Sequence, residues 1–314
     1  MRSPSVKKDW TSLEADLRSI APAPRLELVR QGTLLLRRAG IEAPRVCAEL
    51  LLAHTLGVRR EDLYARRELP VSAEAASSFA RLLRRRLGHE PLQYILGWTE
   101  FWSLRIRCDR RAFIPRPETE LCVEATIEAA RTLPEPVIAD VGTGTGCIAA
   151  ALAFELQHAT LYASDLSRDA LELARENLRA LGLADRVTLL EGDLVQPYLE
   201  LGLAGRLDIV VCNPPYVTEA ELGALQAEVR LFEPPMALRA GADGLEFYRR
   251  LLLEVPPLLK PGGALIVETG DGQPPAIRSL AARTGWTTAA AIKDCTRSER
   301  VLVLTRTRPW TCLR

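Results

Sequence analysis

Apolar positions recur at helical spacing through the first ninety residues. Leu26, Val29, Leu34, Leu35 and Leu36 predict one helix that runs up to Gly40. Pro44, which suits a first helical turn, opens a second over Val46–Leu56, and Gly57 closes it. Ser72 reads as the N-cap of a third helix that ends at Leu87 before Gly88. From Tyr94 the pattern turns to alternation: Tyr94, Ile95, Leu96, then Phe101, Trp102, Leu104 and Ile106 predict one or two strands. Two prolines in Phe113–Glu120 set a short extended segment before a helix over about 121–133. Beyond Pro136 short apolar runs alternate with helical patterns. Strands are expected at Val137–Val141, Thr160–Ser164, Val187–Glu191, Leu207–Cys212, Ala264–Thr269 and Val301–Thr305. Helices are expected at Cys147–Leu156, Arg168–Leu181, Gly241–Leu259 and Pro274–Thr284. Alternation of this kind implies an α/β domain with a mostly parallel sheet covered on both faces.

Length and charge refine that picture. At 314 residues the chain fits one large domain and one smaller one. A 47% hydrophobic content supports a sizeable core and excludes disorder as the main state. The formal net charge is only +1, but it is unevenly spread. Residues 1–90 hold 17 Lys+Arg and 11 Asp+Glu, a balance of +6, which leaves −5 for the rest. A basic front and an acidic back suggest two modules with different tasks. Arg84-Arg85-Arg86, near a helix C-terminus, reads as a solvated face, with a partner-binding patch as the other reading.

The 7 cysteines show no C-x-x-C spacing and there are only 3 His, which argues against a disulfide framework or a metal site. Reduced, mostly buried thiols are expected. Arg2, Lys7 and Lys8 are followed by Asp9, Glu14 and Asp16 with no apolar run, unlike a secretory signal. No stretch is apolar enough for a membrane span.

Four motifs carry chemistry, each after a predicted strand. The first is Asp140-Val141-Gly142-Thr143-Gly144-Thr145-Gly146, which opens a helix. Its glycines permit a tight turn and let a ligand approach the backbone, and its spacing differs from the dinucleotide fingerprint. The second is Asp165, 19 residues past Gly146. A carboxylate there can accept both ribose hydroxyls of NAD or of S-adenosylmethionine alike, or serve as a helix cap. The third is Gly192-Asp193-Leu194, where an acid can meet an adenine amino group and Leu194 can cover the ring, unless it is a plain surface loop. The fourth is Asn213-Pro214-Pro215-Tyr216. The prolines remove two N–H donors but leave carbonyl acceptors. The Asn213 side-chain oxygen and a proline carbonyl can therefore grip the two hydrogens of an NH₂ group, beside the flat face of Tyr216.

Together these motifs resemble S-adenosylmethionine-dependent methyltransferases that modify planar nitrogen. With Ile114-Pro115-Arg116-Pro117-Glu118-Thr119-Glu120, Glu233-Pro234, Asp243-Gly244-Leu245 and Leu259-Lys260-Pro261-Gly262-Gly263, the chain more closely resembles the PrmC/HemK family of release-factor glutamine methyltransferases. Pro235 and Cys295–Arg300 depart from the family pattern, away from the cofactor motifs. The resemblance implies a Rossmann-like, seven-stranded class I methyltransferase domain over 114–314, a β-hairpin linker over 93–113 and a helical substrate-docking domain over 1–92. It implies S-adenosyl-L-methionine held by Gly142, Thr143, Gly144, Thr145, Gly146, Asp165, Asp193, Leu194 and Asn213, and no metal. Catalysis would fall to Asn213, Pro214 and Tyr216, with Pro215 and Phe113 completing the substrate site. The implied reaction methylates the side-chain amide nitrogen of the glutamine in the Gly-Gly-Gln motif of class I peptide-chain release factors. A cytoplasmic monomer with no membrane and no direct nucleic-acid partner is expected. Glutamine methylation of a ribosomal protein and N6-adenine methylation of DNA stay open as alternatives. A nicotinamide dehydrogenase and a non-catalytic adaptor fit the motifs less well.

Overall fold

The two periodicities of the sequence become two units. The computed structural model describes residues 10–306. One unit runs to Gly97 and includes Ala227–Phe232; the other holds Trp98–Gln226 and the chain from Glu233 onward. Arg2, Lys7, Lys8 and Asp9 lie outside the described residues.

The smaller unit is helical, with its main helices at Arg25–Arg38, Pro44–Leu56 and Ala73–Leu87. Their ends follow the expected chemistry. Gly57 adopts a left-handed C-cap, and Ser72 Oγ accepts from Ala75 N at 3.2 Å. Leu28, Leu36, Leu51, Leu52, Phe79 and Leu83 are fully buried in one cluster. Gly32 lets the helices approach: a Cβ there would lie 2.9 Å from Phe79 Cζ and 3.3 Å from both Ala48 Cβ and Leu83 Cδ2.

Two expectations fail in this unit. Tyr94–Leu96 is not strand but part of a short helix, Leu92–Leu96, entered after Pro91 and closed by left-handed Gly97. The arginine run is not simply a solvated face. Arg84 and Arg85 pair with Glu14 and Glu90, while Arg86 is buried and pairs with Glu228. Its charge is matched inside the unit, because a buried guanidinium without a partner would be costly.

The larger unit begins with a hairpin, β1 (Trp98–Phe101) and β2 (Leu104–Arg107). Trp102 and Ser103 both take positive φ, as a two-residue hairpin turn of this hand requires. Phe101, Leu104 and Ile106 join the core of this unit, so the segment expected to link modules is anchored in one of them. A seven-stranded sheet follows: β3 (Val137–Val141), β4 (Thr160–Asp165), β5 (Val187–Glu191), β6 (Leu207–Cys212), β7 (Leu259–Glu268), β8 (Trp286–Lys293) and β9 (Glu299–Arg306). The spatial order is β5-β4-β3-β6-β7-β9-β8, with four parallel pairings and two antiparallel ones.

Alternate residues bury into opposite faces. Ile138, Ile209, Val211 and Ile266 enter one cluster, and Ala139, Val210, Cys212, Leu265 and Val267 the other. Helices Glu120–Ala130 and Cys147–Glu155 contribute to the first cluster, Glu246–Glu254 and Pro274–Arg283 to the second. This double burial is why the strands read as continuous apolar runs. The long helix expected over 241–259 is shorter, Glu246–Glu254, since Pro256 and Pro257 end it and β7 already begins at Leu259. β8 escaped the sequence reading because its alanines and threonines sit at a half-exposed edge.

Five of the six described cysteines are buried, and Cys295 is exposed. Among the described residues no helix is long and apolar enough to cross a membrane, and no cluster suited to a metal ion occurs. Gly32→Leu is expected to overpack the smaller unit and cost about 1–3 kcal/mol, read as a lowered midpoint in thermal unfolding.

Candidate active site

The chain winds outward from β3 through β4 to β5, then returns to place β6 on the other side of β3. At such a switch point the loops after two neighbouring strands diverge and leave a crevice at their carboxyl ends. All four sequence motifs leave carboxyl ends of these strands: Gly142–Gly146 after β3, Asp165 closing β4, Gly192–Leu194 after β5 and Asn213–Tyr216 after β6. All of these residues except Gly146 line one cavity of about 180 Å³.

The glycine loop forms the floor of this cavity. Gly142 and Gly144 have φ of +73° and +55°, a region that favours glycine. A Cβ on Gly142 would meet nothing within 4 Å, and one on Gly144 only Ala112 Cβ at 4.0 Å, so both residues leave open space. Thr143 and Thr145 line the cavity by position, yet both side chains are buried. Thr143 Oγ1 donates to Asp140 Oδ2 at 2.6 Å, and Thr143 N donates to Ser164 O at 2.8 Å. Gly146 does not line the cavity. A Cβ there would lie 3.0 Å from Ala174 Cβ, so this glycine lets the loop pass close to helix Arg168–Ala180. Buried Asn177 of that helix donates to Thr145 O at 2.9 Å and Arg107 O at 3.2 Å, and accepts from Arg107 N at 2.7 Å. It ties loop, helix and hairpin together, a role that its sequence context did not signal.

Asp140 lies beneath the loop. Its Oδ2 also accepts from Ala149 N at 3.2 Å, whereas its buried Oδ1 has no partner. Burial pushes its carboxyl from 3.8 up to about 7, against the lowering effect of Thr143 and Ala149. The Tyr198 hydroxyl donates to Asp140 O at 2.9 Å and stands 2.8 Å from Ser164 Oγ, holding β3 and β4 in place from below.

Asp165 sits at the cavity wall with its two oxygens differently engaged. Oδ2 accepts from Gly144 N and Oδ1 from Ser167 N, each at 2.8 Å. Each oxygen keeps lone-pair capacity for a further donor. Burial raises this carboxyl as well. Asp193 faces the same space and is held by Arg250, whose Nη1 and Nη2 donate at 3.1 and 2.8 Å. Arg250 had no sequence signal beyond a helical pairing with Glu254. Leu194 takes a left-handed φ of +45° and is buried against the cavity.

Asn213, Pro214, Pro215 and Tyr216 line the same cavity, as does Phe113. Asn213 Nδ2 donates to Thr119 Oγ1 at 3.2 Å. Tyr216 is fixed by its surroundings. Gln273 Nε2 donates to Tyr216 O at 3.0 Å and Gly244 O at 3.1 Å, and a Cβ on Gly270 would come within 2.9 Å of the Tyr216 ring. Burial raises its phenol further above the ordinary range, so the ring stays neutral. Phe113 carries the Arg116 guanidinium 4.4 Å above its ring. Arg116 pairs in turn with buried Glu233, which also accepts from Ile114 N at 3.2 Å. The Pro-Arg-Pro-Glu-Thr-Glu and Glu-Pro segments, separated by more than a hundred residues, thus lock together. Glu268, at the end of β7, is buried, and desolvation pushes its carboxyl up to about 7. A lone acid closing an apolar strand was the signal available for it.

This fold and cavity define a class I methyltransferase. The sequence matches the family described as PrmC N-terminal domain over residues 27–97 and the Methyltransferase small domain over residues 123–233. The release factor glutamine methyltransferase of Moorella thermoacetica is 44% identical over 250 residues, which cover 80% of this chain and 87% of that protein. Its counterpart from Rhodopirellula baltica is 37% identical over 293 residues, 92% of this chain and 98% of that one. Among solved structures, the hMettl16 catalytic domain aligns with a TM-score of 0.53 at 18% identity, covering 70% of this chain and 83% of that one, a likeness of fold alone. The chain belongs to the release factor glutamine methyltransferase family.

The methyl donor of this family, S-adenosylmethionine, fits the residues present. The open glycine cradle, the free acceptor capacity of Asp165 and the apolar cover of Leu194 suit an amino-acid tail, a ribose and an adenine in turn. The buried acid beneath the loop gives a separate test. Asp140 holds its proton up to about pH 7 when folded and releases it near 3.8 when unfolded, so the folded chain binds more protons in between. That contribution is complete below pH 4 and is lost as pH rises toward 7. The stability of the parent relative to Asp140→Asn should therefore fall between about pH 4 and pH 7 and level off above, measured by urea unfolding.

Proposed function

We propose that the protein transfers a methyl group from S-adenosylmethionine to the side-chain amide nitrogen of a glutamine in a class I peptide-chain release factor. The observation that carries this reading is that the Asn-Pro-Pro-Tyr corner and the open glycine loop line one cavity. The donor supplies a methyl on a positively charged sulfur, an electrophile needing no prior activation. The residues of the chain must make a poor nucleophile competent, since an amide lone pair is delocalised into its carbonyl.

Asn213 Oδ1 and Pro214 O are the acceptors assigned to the two amide hydrogens. Pro214 and Pro215 bring no N–H into the corner, so no donor competes for those oxygens. As the nitrogen gains its new bond to carbon the carbon–sulfur bond breaks, its electron pair returning to sulfur; the nitrogen becomes positive and its protons acidic, and one of them is then lost to solvent. Acceptors already aimed at those protons stabilise this charge more than they stabilise the ground state. Tyr216 and Phe113 flank the reacting group, hold it in line and exclude water. Asp165 and the Gly142–Gly144 backbone hold the donor, with Asp193 and Leu194 at its adenine end.

The basic smaller unit is assigned to docking of the whole protein substrate, and the enzyme to work as a monomer in the cytoplasm. Arg37 and Arg66 are exposed on that unit and suited to this role.

Labelled methyl transfer should mark a release factor and fail when the glutamine of its Gly-Gly-Gln motif is replaced; label on the replaced protein sinks the reading. Asn213→Ala should lower kcat by about 100-fold or more while part of the donor affinity, measured by calorimetry, is kept. Replacing Arg37 and Arg66 by Glu should raise KM for a whole release factor but not for a short glutamine peptide.

A further inference from the structure

The Asn213–Tyr216 corner cannot brace itself through donors of its own at Pro214 and Pro215. Those residues have no N–H, so this stretch of backbone must be held at its ends and through its carbonyls. At the upstream end, Cys212 pairs with Val267 in the sheet. At the downstream end, Val217 N donates to Leu238 O and Ala240 N to Val217 O, each at 2.9 Å. Between them a side chain reaches the backbone of the corner. Gln273, just before helix Pro274–Arg283, donates through Nε2 to Tyr216 O at 3.0 Å and to Gly244 O at 3.1 Å, and its Oε1 accepts from Gly270 N at 3.0 Å. Three segments close tightly on this amide. A Cβ on Gly244 would lie 2.6 Å from both Tyr216 O and Gln273 Nε2, and one on Gly270 would lie 2.8 Å from Gln273 Oε1. Gln273 itself does not line the cavity.

We propose that Gln273 is a positioning residue for methyl transfer: its amide clamps the Tyr216 carbonyl and so sets how the Asn-Pro-Pro-Tyr corner presents its acceptors and its ring to the substrate. Three backbone groups dictate the direction of the amide. A carbonyl can only accept and an N–H can only donate. The two hydrogens on Nε2 meet the two carbonyls, and Oε1 meets the N–H. Turned over, the amide oxygen would face two oxygens and its NH₂ would face a donor, which leaves part-buried polar groups unpaired. None of these backbone groups titrates, so the clamp keeps one direction as pH changes. The prolines carry its effect back along the chain. With φ of Pro214 and Pro215 held at about −65°, few free torsions separate Asn213 from Tyr216. The corner then behaves as a short stiff piece, tied to the sheet at Cys212 and to Gln273 at Tyr216. Freeing the Tyr216 carbonyl lets that peptide group turn, and Pro214 O and the Tyr216 ring shift with it. A misplacement of about 1 Å can cost about 100-fold in rate. The glycine loop is held instead by Asp140, Ser164 and Asp165, so donor binding stands apart from the clamp.

This inference rests on the glutamine methyltransferase reading of the site, and the test separates the two. Methyl transfer to a whole release factor is followed for the parent, Gln273→Met and Gln273→Glu from mildly acid to alkaline pH, with donor affinity measured by calorimetry. Gln273→Met keeps the length and loses the three hydrogen bonds. Its kcat should fall about tenfold or more, with KM for the release factor and donor affinity nearly unchanged. Gln273→Glu keeps the shape. Ionised, it turns a carboxylate toward two carbonyl oxygens; protonated, it offers them one O–H and leaves an oxygen for Gly270 N. Facing oxygens and partial burial favour the protonated form. The kcat of Gln273→Glu relative to the parent should therefore be lowest at alkaline pH and climb severalfold as pH falls. A loss of packing alone would show no such recovery. The clamp is overturned if Gln273→Met turns over like the parent, if donor affinity falls as far as kcat, or if the ratio of Gln273→Glu to parent is flat with pH. If Gln273→Met shows no cooperative melt, the pH dependence of that ratio decides. An inert parent sinks the methyltransferase reading itself; an active parent with indifferent variants sinks only the clamp.

Discussion

The parallel pairing of β3 with β6 is the constraint on which the rest depends. Asp140 stands opposite Val211 and Val141 opposite Cys212, so both strands end at the same level. The glycine loop and the Asn-Pro-Pro-Tyr corner therefore leave the sheet side by side. A slip of one residue would turn every inward side chain of β6 to the opposite face. Ile209 and Val211 on one side, and Val210 and Cys212 on the other, are all buried, which makes that slip costly. The register that holds the core together is the same register that sets the distance across the cavity.

A second theme is the set of carboxylates at the carboxyl edge of the sheet. Asp140, Asp165 and Glu268 all lie where burial disfavours their charged forms. Two of them are held by hydrogen bonds from the segment they organise: Asp140 by Thr143 and Ala149, Asp165 by Gly144 and Ser167. A stable core gains little from such groups. Their placement makes sense as scaffolding for loops that must keep one conformation while presenting backbone and side-chain atoms to ligands. Glu233 plays a similar part from outside the sheet, holding Ile114 N and Arg116 and through Arg116 the Phe113 ring.

Most elements of both units were legible in the sequence because their signals are local. Pro44, Gly57 and Ser72 mark helix ends through φ restriction, left-handed tolerance and side-chain capping, each a property of one or two residues. The readings that failed lacked such signals or had them overruled. Tyr94–Leu96 carries strand-forming residues, but Pro91 and Gly97 confine it to a single helical turn. Arg84–Arg86 reads as surface charge, and only the fold brings Glu228, 142 residues away from Arg86, to bury one member of the run. The close approach of Gly146 to Ala174 likewise comes from the fold.

The chemistry followed the same division. The sequence by itself determined which residue types stand at strand ends: glycines that open a loop, an acid, and a proline corner stripped of donors. Those follow from spacing and from the covalent character of Gly and Pro. Only the tertiary structure decided what surrounds them. Arg250 on Asp193, Asn177 beneath the loop and Gln273 behind Tyr216 come from distant segments. Their roles rest on contacts across the fold, and spacing along a single chain carries no record of which distant atoms will meet.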